Sequence, residues 1–292
     1  MTEKVWFISG ASRGFGRIWT EAALARGDRV AATARNVSAL QDLIERYPRQ
    51  VLTLPMDVTD PQQVEAAVVR THRLFGRIDV VLNNAGYGLL ATVEEASLEE
   101  IKAEFGTNFY GAVHVLQSVL PILREQGSGH ILAVSSLAGI ICYPFSGYYN
   151  ASKWALEALH ESLSLEVADL GIKVTLVEPG SFATNFVTPS SLKIAHGYDV
   201  YAALREKMFS YGAQLPFGDP QSTSAAIMKI VDSPEPPLRV FLGTEGLPAV
   251  KAAYEARIAE WEKWADISNA AQGHSRQMEI VNKYRKADWA TE

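Results

Sequence analysis

The sequence predicts one α/β domain built on a doubly wound, seven-stranded, mostly parallel sheet, and three observations carry that prediction. Short β-branched, apolar runs alternate with longer helical patterns along most of the chain. Several of the runs are almost continuously apolar, as strands covered on both faces by crossover helices must be. A glycine-rich turn closes the first run and opens the first helix, at the point where sheets of this kind hold a nucleotide.

The runs are residues 4–9, 29–34, 51–57, 78–84, 130–136, 173–179 and 238–243. Helix punctuation falls between them. Asp60 and Pro61 supply a cap and a proline at the first helical position, with Gln63 completing a capping box. Ser97 and Glu100 repeat the box before a long helical segment, 98–123, in which Pro121 should kink or end the helix. After Pro179 the strand rhythm lapses for roughly 40 residues before one more helix and strand. These features predict a Rossmann-like domain over 1–245 with a lid near 185–220, followed by a helical extension, 246–292, packed on the same domain.

Composition limits the function classes. The 292 residues are 48% hydrophobic and 21% charged, as in an ordinary globular protein able to bury a full core. A net charge of -6 with no Lys/Arg-rich run argues against nucleic acid as the main partner. No run reaches the roughly 18 to 20 apolar residues that a bilayer span needs, so no membrane role is expected. The N-terminus lacks a signal-peptide pattern, and the single cysteine, Cys142, excludes an internal disulfide framework. Cytoplasm is the expected location. The histidines at 72, 114, 130, 160, 196 and 274 form no ligand-like cluster, and no metal is expected.

Chemistry begins at the turn Ser9–Gly16, with Gly10, Ser12, Arg13, Gly14, Phe15 and Gly16 as candidate cofactor residues. Glycines let backbone approach a pyrophosphate closely, and the helix N-terminus then offers free N–H groups and the positive end of its dipole. At the end of the second run, where an NAD enzyme usually carries an acid, stand Ala34 and Arg35. A guanidinium suits a 2′-phosphate, so Arg35 with Arg13 favours NADP(H). Asp57 and Val58 are placed to meet the adenine, and Asn84, Ala85 and Gly86 to line the cofactor; turn chemistry alone would also explain these residue types.

Two tyrosines, Tyr148 and Tyr149, open a helical pattern that includes Lys153. A free tyrosine, with a pKa of about 10, is a sluggish acid or base at neutral pH. Lys153 follows Tyr149 by one helical turn, on the same face, where an ammonium would favour the phenolate. Tyr148 has Ser152 at that spacing instead. Ser135 and Ser136 are strand neighbours and must face opposite ways. Asn108 sits in an otherwise apolar helical stretch, where a buried and satisfied amide is the plain alternative.

Taken together, the SGASRGFG turn, Asp57, the NNAG of 83–86, Asn108, Ser136, Tyr149 with Lys153, and Pro179-Gly180 with Thr184 resemble the short-chain dehydrogenase/reductase family. The resemblance is to its NADP(H)-type carbonyl reductases and hydroxysteroid dehydrogenases. It implies a catalytic tetrad of Asn108, Ser136, Tyr149 and Lys153. In that scheme Tyr149 is the acid and base, Ser136 holds the substrate oxygen, Lys153 tunes Tyr149 and binds the nicotinamide ribose, and Asn108 marks a helix irregularity that holds a water linking Lys153 to solvent. It further implies that Pro179, Gly180, Phe182 and Thr184 border the nicotinamide, and that the chain forms a homodimer or homotetramer. Apolar side chains around these positions, among them Tyr87, Leu89, Leu137, Cys142, Tyr143, Phe145, Phe182, Phe186, Tyr201, Phe209, Tyr211, Leu215 and Phe217, suggest a small hydrophobic ketone, aldehyde or alcohol as substrate. An NADP(H)-sensing protein without turnover, an NAD-preferring alcohol dehydrogenase, and an epimerase or dehydratase are the alternative readings.

Overall fold

The computed structural model describes residues 3–273. Its first half runs β1 (Val5–Ile8), α1 (Gly14–Ala25), β2 (Arg29–Ala34), α2 (Gln41–Arg46), β3 (Val51–Pro55), α3 (Pro61–Phe75), β4 (Val80–Asn83), β5 (Gly88–Leu90), α4 (Leu98–Phe105) and α5 (Gly111–Gln126). It continues with β6 (Gly129–Val134), α6 (Gly147–Glu166), β7 (Ile172–Pro179), β8 (Leu192–Ile194), α7 (Ala202–Ala213), α8 (Thr223–Asp232), β9 (Arg239–Leu242), α9 (Gly246–Lys263) and α10 (Ala265–Gln272).

Seven strands form one sheet in the order β3-β2-β1-β4-β6-β7-β9, with every neighbouring pair parallel. Each of the seven apolar runs coincides with one of these strands, β6 and β7 beginning one residue earlier than their runs. Strand order reverses between β1 and β4, which opens a crevice at their carboxyl ends. Alternation along β1 shows why the runs are apolar throughout. Trp6 and Ile8 belong to the core that also holds Trp19 of α1 and Ile227 of α8, whereas Phe7 belongs to the opposite core with Val64 of α3, Val119 of α5 and Leu163 of α6.

Both capping sites form, with different geometry. Ser97 and Glu100 make a reciprocal box. Asp60 accepts from the N–H groups of Gln62 and Gln63, but the Gln63 side chain accepts from Asp57 N–H, which braces the end of the third run. The long segment 98–123 departs from expectation. Pro121 lies inside α5, which runs on to Gln126. Proline removes a single helical hydrogen bond, and Val119 and Leu123 on either side stay fully buried, so packing holds the helix together. The interruption lies instead at residues 106–110, a π-helical turn between α4 and α5 that carries Asn108.

Two short strands were not expected. β5 and β8 pair in parallel, joining the segment after Asn83 to the segment expected as a lid. Within that segment α7 has no fully buried side chain.

The chain divides into compact units of residues 1–250 and 251–292. The first holds the whole sheet. The second, as far as it is described, consists of the rest of α9 and α10, with an Arg257–Tyr254 ring contact at 5.3 Å. Residues 274–292 of the expected extension, with His274, lie outside the described residues.

Trp19 joins α1 to α8, since its indole is fully buried, stacks on Phe15 at 5.0 Å and donates to Thr223 Oγ1 at 2.8 Å. Trp19→Ala is expected to cost about 3–5 kcal/mol. Urea unfolding checks this, and an unchanged midpoint would contradict the packing described.

Candidate active site

A cavity of about 480 Å³ opens at the carboxyl ends of β1 and β4. Its wall includes Gly10, Ser12, Arg13, Gly14, Phe15, Arg35, Asp57, Val58, Asn84, Ala85, Gly86, Ser136, Tyr149, Lys153, Pro179, Gly180, Phe182 and Thr184. Two of the expected residues, Gly16 and Asn108, lie behind that wall.

The glycine turn is fixed from the side of β4. Asn84 Nδ2 donates to the carbonyls of Ser9 at 3.0 Å and Gly10 at 2.9 Å, and Ser9 Oγ accepts from Asn84 N–H at 3.0 Å. A Cβ at Gly16 would stand 2.3 Å from both Asn84 Nδ2 and Gly10 O, so no other residue fits there. Gly10 and Gly14 both have positive φ. α1 has no side-chain cap, in contrast to α3 and α4, and no acid in its first turn, in contrast to α4. Its first N–H groups and positive dipole end are therefore left for an anion. These features fit a dinucleotide pyrophosphate.

The arginines differ in state. Arg13 donates to Ser190 Oγ and to Ser190 O, both at 2.8 Å, and so ties the glycine turn to the lid segment. Arg35 is exposed and forms no hydrogen bond or ion pair with a described residue. One Asp57 oxygen is spent on its own turn, accepting from Thr59 N–H and Oγ1.

On the other side of the cavity, β6 delivers Ser136 and α6 delivers Tyr149 and Lys153. Both serines lie just past the end of β6 and border the cavity, but their hydroxyls go to different neighbours. A Cβ at Gly139 would lie 2.6 Å from Ser135 Oγ and 3.0 Å from Glu157 Cγ, which places Ser135 toward α6 and Glu157. Ser136 Oγ instead accepts from Ala138 N–H at 3.2 Å, and its hydroxyl acts on the Tyr149 phenol. Tyr148 turns away and donates to Val93 O at 2.7 Å. Asn108 is buried and brackets Tyr87, accepting from its N–H at 3.0 Å and donating to its carbonyl at 2.9 Å.

The expected tuning of Tyr149 by Lys153 takes a different form. Lys153 Nζ donates to Val134 O at 2.9 Å and lies 5.8 Å from the Tyr149 ring centre. Burial pushes the Tyr149 phenol well above its ordinary value; the Ser136 hydroxyl pulls it down, and the charge of Glu104 pushes it further up. Burial draws Lys153 down to about 8, while Glu104 and Glu157 work to raise it. In this state the phenol is held protonated and the ammonium is poised near neutrality.

The expected aromatic lining divides. Tyr87, Phe182, Phe186, Leu215 and Phe217 face the main cavity, with Lys193 over the Tyr87 ring at 4.7 Å. Cys142, Tyr143, Phe145 and Tyr201 border a separate apolar recess of about 560 Å³ that also contains Trp154. Leu89 and Leu137 are core residues. Phe145 holds the non-glycine positive φ among the described residues, 63°, and packs edge-on against Phe209 of α7 at 5.8 Å. His114, His130 and His160 each make a structural hydrogen bond. No group of three or more potential metal ligands comes together among the described residues. None of their helices is long and apolar enough to cross a membrane.

A seven-stranded parallel sheet, an uncapped helix behind a glycine turn and a Ser-Tyr-Lys set across one crevice define a nucleotide-dependent oxidoreductase. The chain belongs to the short-chain dehydrogenase family, whose pattern matches residues 4–195. It is 40% identical to an oxidoreductase of Botryotinia fuckeliana over 92% of this chain and 99% of that one. It is 35% identical to a 3-ketodihydrosphingosine reductase of Bacteroides thetaiotaomicron, covering 83% and 89% respectively. A crystal structure of a short-chain dehydrogenase from Streptomyces avermitilis superposes with a TM-score of 0.86 at 35% identity, covering 92% of this chain and 98% of that one.

Sequence reasoning missed a set of buried acids behind the cavity. Glu178, the residue before Pro179, is fully buried, neither of its oxygens has a hydrogen-bond partner, and Arg239 Nε lies 3.5 Å away. Burial, and then the charge of Glu157, push Glu178 up to about 8. Its proton is kept in the folded state through the range in which the unfolded chain releases it. The stability it contributes is fully present below an ordinary carboxyl value of about 4.5 and is lost as pH rises through about 8. Glu178→Gln should therefore raise the thermal midpoint relative to the native chain more at about pH 9 than at about pH 5. Equal differences at the two pH values would rule out the buried neutral acid.

Proposed function

We propose that this enzyme reduces the carbonyl of a hydrophobic ketone or aldehyde, or oxidises the matching secondary alcohol, with NADP(H) as cofactor and Tyr149 as acid and base. The observation that carries the reading is the convergence of Ser136, Tyr149 and Lys153 on the same cavity as the uncapped start of α1. When bound, the nicotinamide supplies hydride to the carbonyl carbon and takes it back in the reverse direction.

The protein's own residues supply the rest. Ser136 Oγ donates to the substrate oxygen and stabilises the charge that develops there. Tyr149 transfers its phenolic proton to that oxygen, a role that suits a phenol held protonated by burial. Lys153, brought down to about 8, holds a proton close behind Tyr149 and has donor capacity left for a ribose hydroxyl. Asn108, fixed on the π turn, also donates to Ser152 Oγ at 3.0 Å and so braces the helix turn carrying Tyr149 and Lys153. Phe182, Phe186, Leu215 and Phe217 make the substrate end apolar. A relative named as a ketone reductase is in keeping with that chemistry.

Preference for NADP(H) rests on Arg35 and Arg13, with no acid at the end of β2. A cytoplasmic location and a homodimer or homotetramer belong to the same reading.

An NADPH-oxidation screen over hydrophobic ketones and aldehydes tests the whole proposal. Tight NADPH binding with no turnover would favour a sensing role instead. Tyr149→Phe is expected to lower carbonyl reduction by about 10²- to 10⁴-fold while leaving NADPH binding largely intact. Substantial retained activity would remove Tyr149 from its role. Arg35→Asp should shift the ratio of NADPH to NADH use by roughly tenfold or more toward NADH, and an unchanged ratio would contradict phosphate binding at Arg35.

A further inference from the structure

Glu104 lies one helical turn before Asn108, near the end of α4, and is completely buried. Its Oε1 accepts from Leu89 N–H at 2.8 Å, and its Oε2 has no hydrogen-bond partner. Glu104 and Asn108 thus reach the same backbone stretch, residues 87–89, from successive turns. α4 packs against α6, the helix that carries Tyr149 and Lys153. A buried carboxyl with one satisfied oxygen is expensive, and the hydrogen bond to Leu89 does not require a charge, since a neutral amide would accept it equally well.

We propose that Glu104 is a positioning residue for the protons of the site: its carboxylate holds Tyr149 and Lys153 in their protonated forms and so favours carbonyl reduction. The inference rests on the reductase reading given above. A Cβ at Gly86 would meet both Asn108 Oδ1 at 3.1 Å and Lys153 Nζ at 3.5 Å, which brings the end of α4 that carries Glu104, one turn before Asn108, beside the Lys153 ammonium. The charge of Glu104 acts on Lys153 and Tyr149 of α6, on Tyr87 of the loop after β4 and on Lys193 of β8, and Glu100 on its own helix also acts on Tyr87. Glu157 adds to the effect on Lys153, and Ser136 opposes the effect on Tyr149. Burial raises Glu104 itself to about 7, against the Leu89 N–H and the charges of Lys153 and Lys193. Its charge is therefore present on the alkaline side of neutrality, where loss of protons from Tyr149 or Lys153 would end reduction.

Removing the charge should lower both protonation equilibria together. In Glu104→Gln, which keeps an acceptor for Leu89 N–H, the alkaline limb of kcat/KM for carbonyl reduction is expected to move down by roughly half to one pH unit, and Glu104→Asp should stay nearer the native profile. Titration of Lys153 by 13C-lysine NMR, assigned with Lys153→Met, should show the same downward shift in the Gln variant. If Glu104→Gln does not fold, Glu104→Asp against Glu104→Asn repeats the comparison of charge at a shorter length. Native pH dependence and a native Lys153 midpoint in the neutral variant would overturn the proposal and leave Glu104 a structural anchor. Absence of any turnover in the native enzyme would overturn the reductase reading, while the Lys153 titration would still decide the role of Glu104.

Discussion

The bond from Asn84 to the carbonyls of Ser9 and Gly10 is the constraint on which the site depends. It spends both amide hydrogens of Asn84 on the backbone of the neighbouring strand end, and it forces glycine at 16 because no Cβ fits beside it. The first turn of α1 is thereby presented to the crevice with its N–H groups free. The parallel pairing of β1 with β4 puts Asn84 at the right height, so sheet register and anion site are one arrangement. Asn84 borders the cofactor cavity, but the work of its side chain is to hold the turn that does the binding.

Behind the crevice lies a layer of ionisable groups taken out of water. Lys153, Glu104, Glu157 and Glu178 are all buried, and burial acts on each by disfavouring its charged form. The acids rise and the lysine falls, Glu104 to about 7 and Glu178 and Lys153 to about 8. Such a layer lowers stability, and sites where a fold accepts that cost are sites of chemistry more often than of architecture.

The sheet and the cavity wall were legible in the sequence because their signals are local. Apolar runs specify buried parallel strands whatever the tertiary detail, and the turn at Gly10–Gly16 can be recognised from its glycines together with their place between the first strand and the first helix. Tyr149 separated from Tyr148 by helical register, and the structure places Tyr148 against Val93 O. Glu104 gave no such signal. In LEEIKAEF it reads as one more acid on a solvated face, and only the packing of α4 against β5 and α6 buries it. β5 and β8 escaped for a similar reason, since three residues are too few for a period and their pairing joins segments about a hundred positions apart. The π turn was legible only through the family resemblance, which implied a helix irregularity at Asn108; residue pattern alone pointed to Pro121, the more obvious helix breaker in the same segment.

What holds the lid is different in kind from what holds the sheet. α7 contributes no fully buried side chain, and its region is tied down by polar straps: Arg205 to Glu95, Tyr201 to Glu94, Ala195 N–H to Leu90 O and Arg13 to Ser190. The Tyr201–Glu94 and Arg13–Ser190 contacts are exposed and each add little, about 0–1 kcal/mol, whereas the Glu95 carboxylate under Arg205 is buried, so this segment is expected to open more easily at α7 than at its pairing with β5. Yet Phe186, Leu215 and Phe217 of this segment form much of the apolar wall where a substrate would sit. In the function proposed above, cofactor recognition is therefore built on the β1–β4 clasp and substrate recognition on the segment held by fewer buried side chains. Arg13 belongs to both, because the same guanidinium stands in the glycine turn and bonds the lid at Ser190. An anion that drew Arg13 toward the turn would release one of the few straps on the wall that selects the substrate.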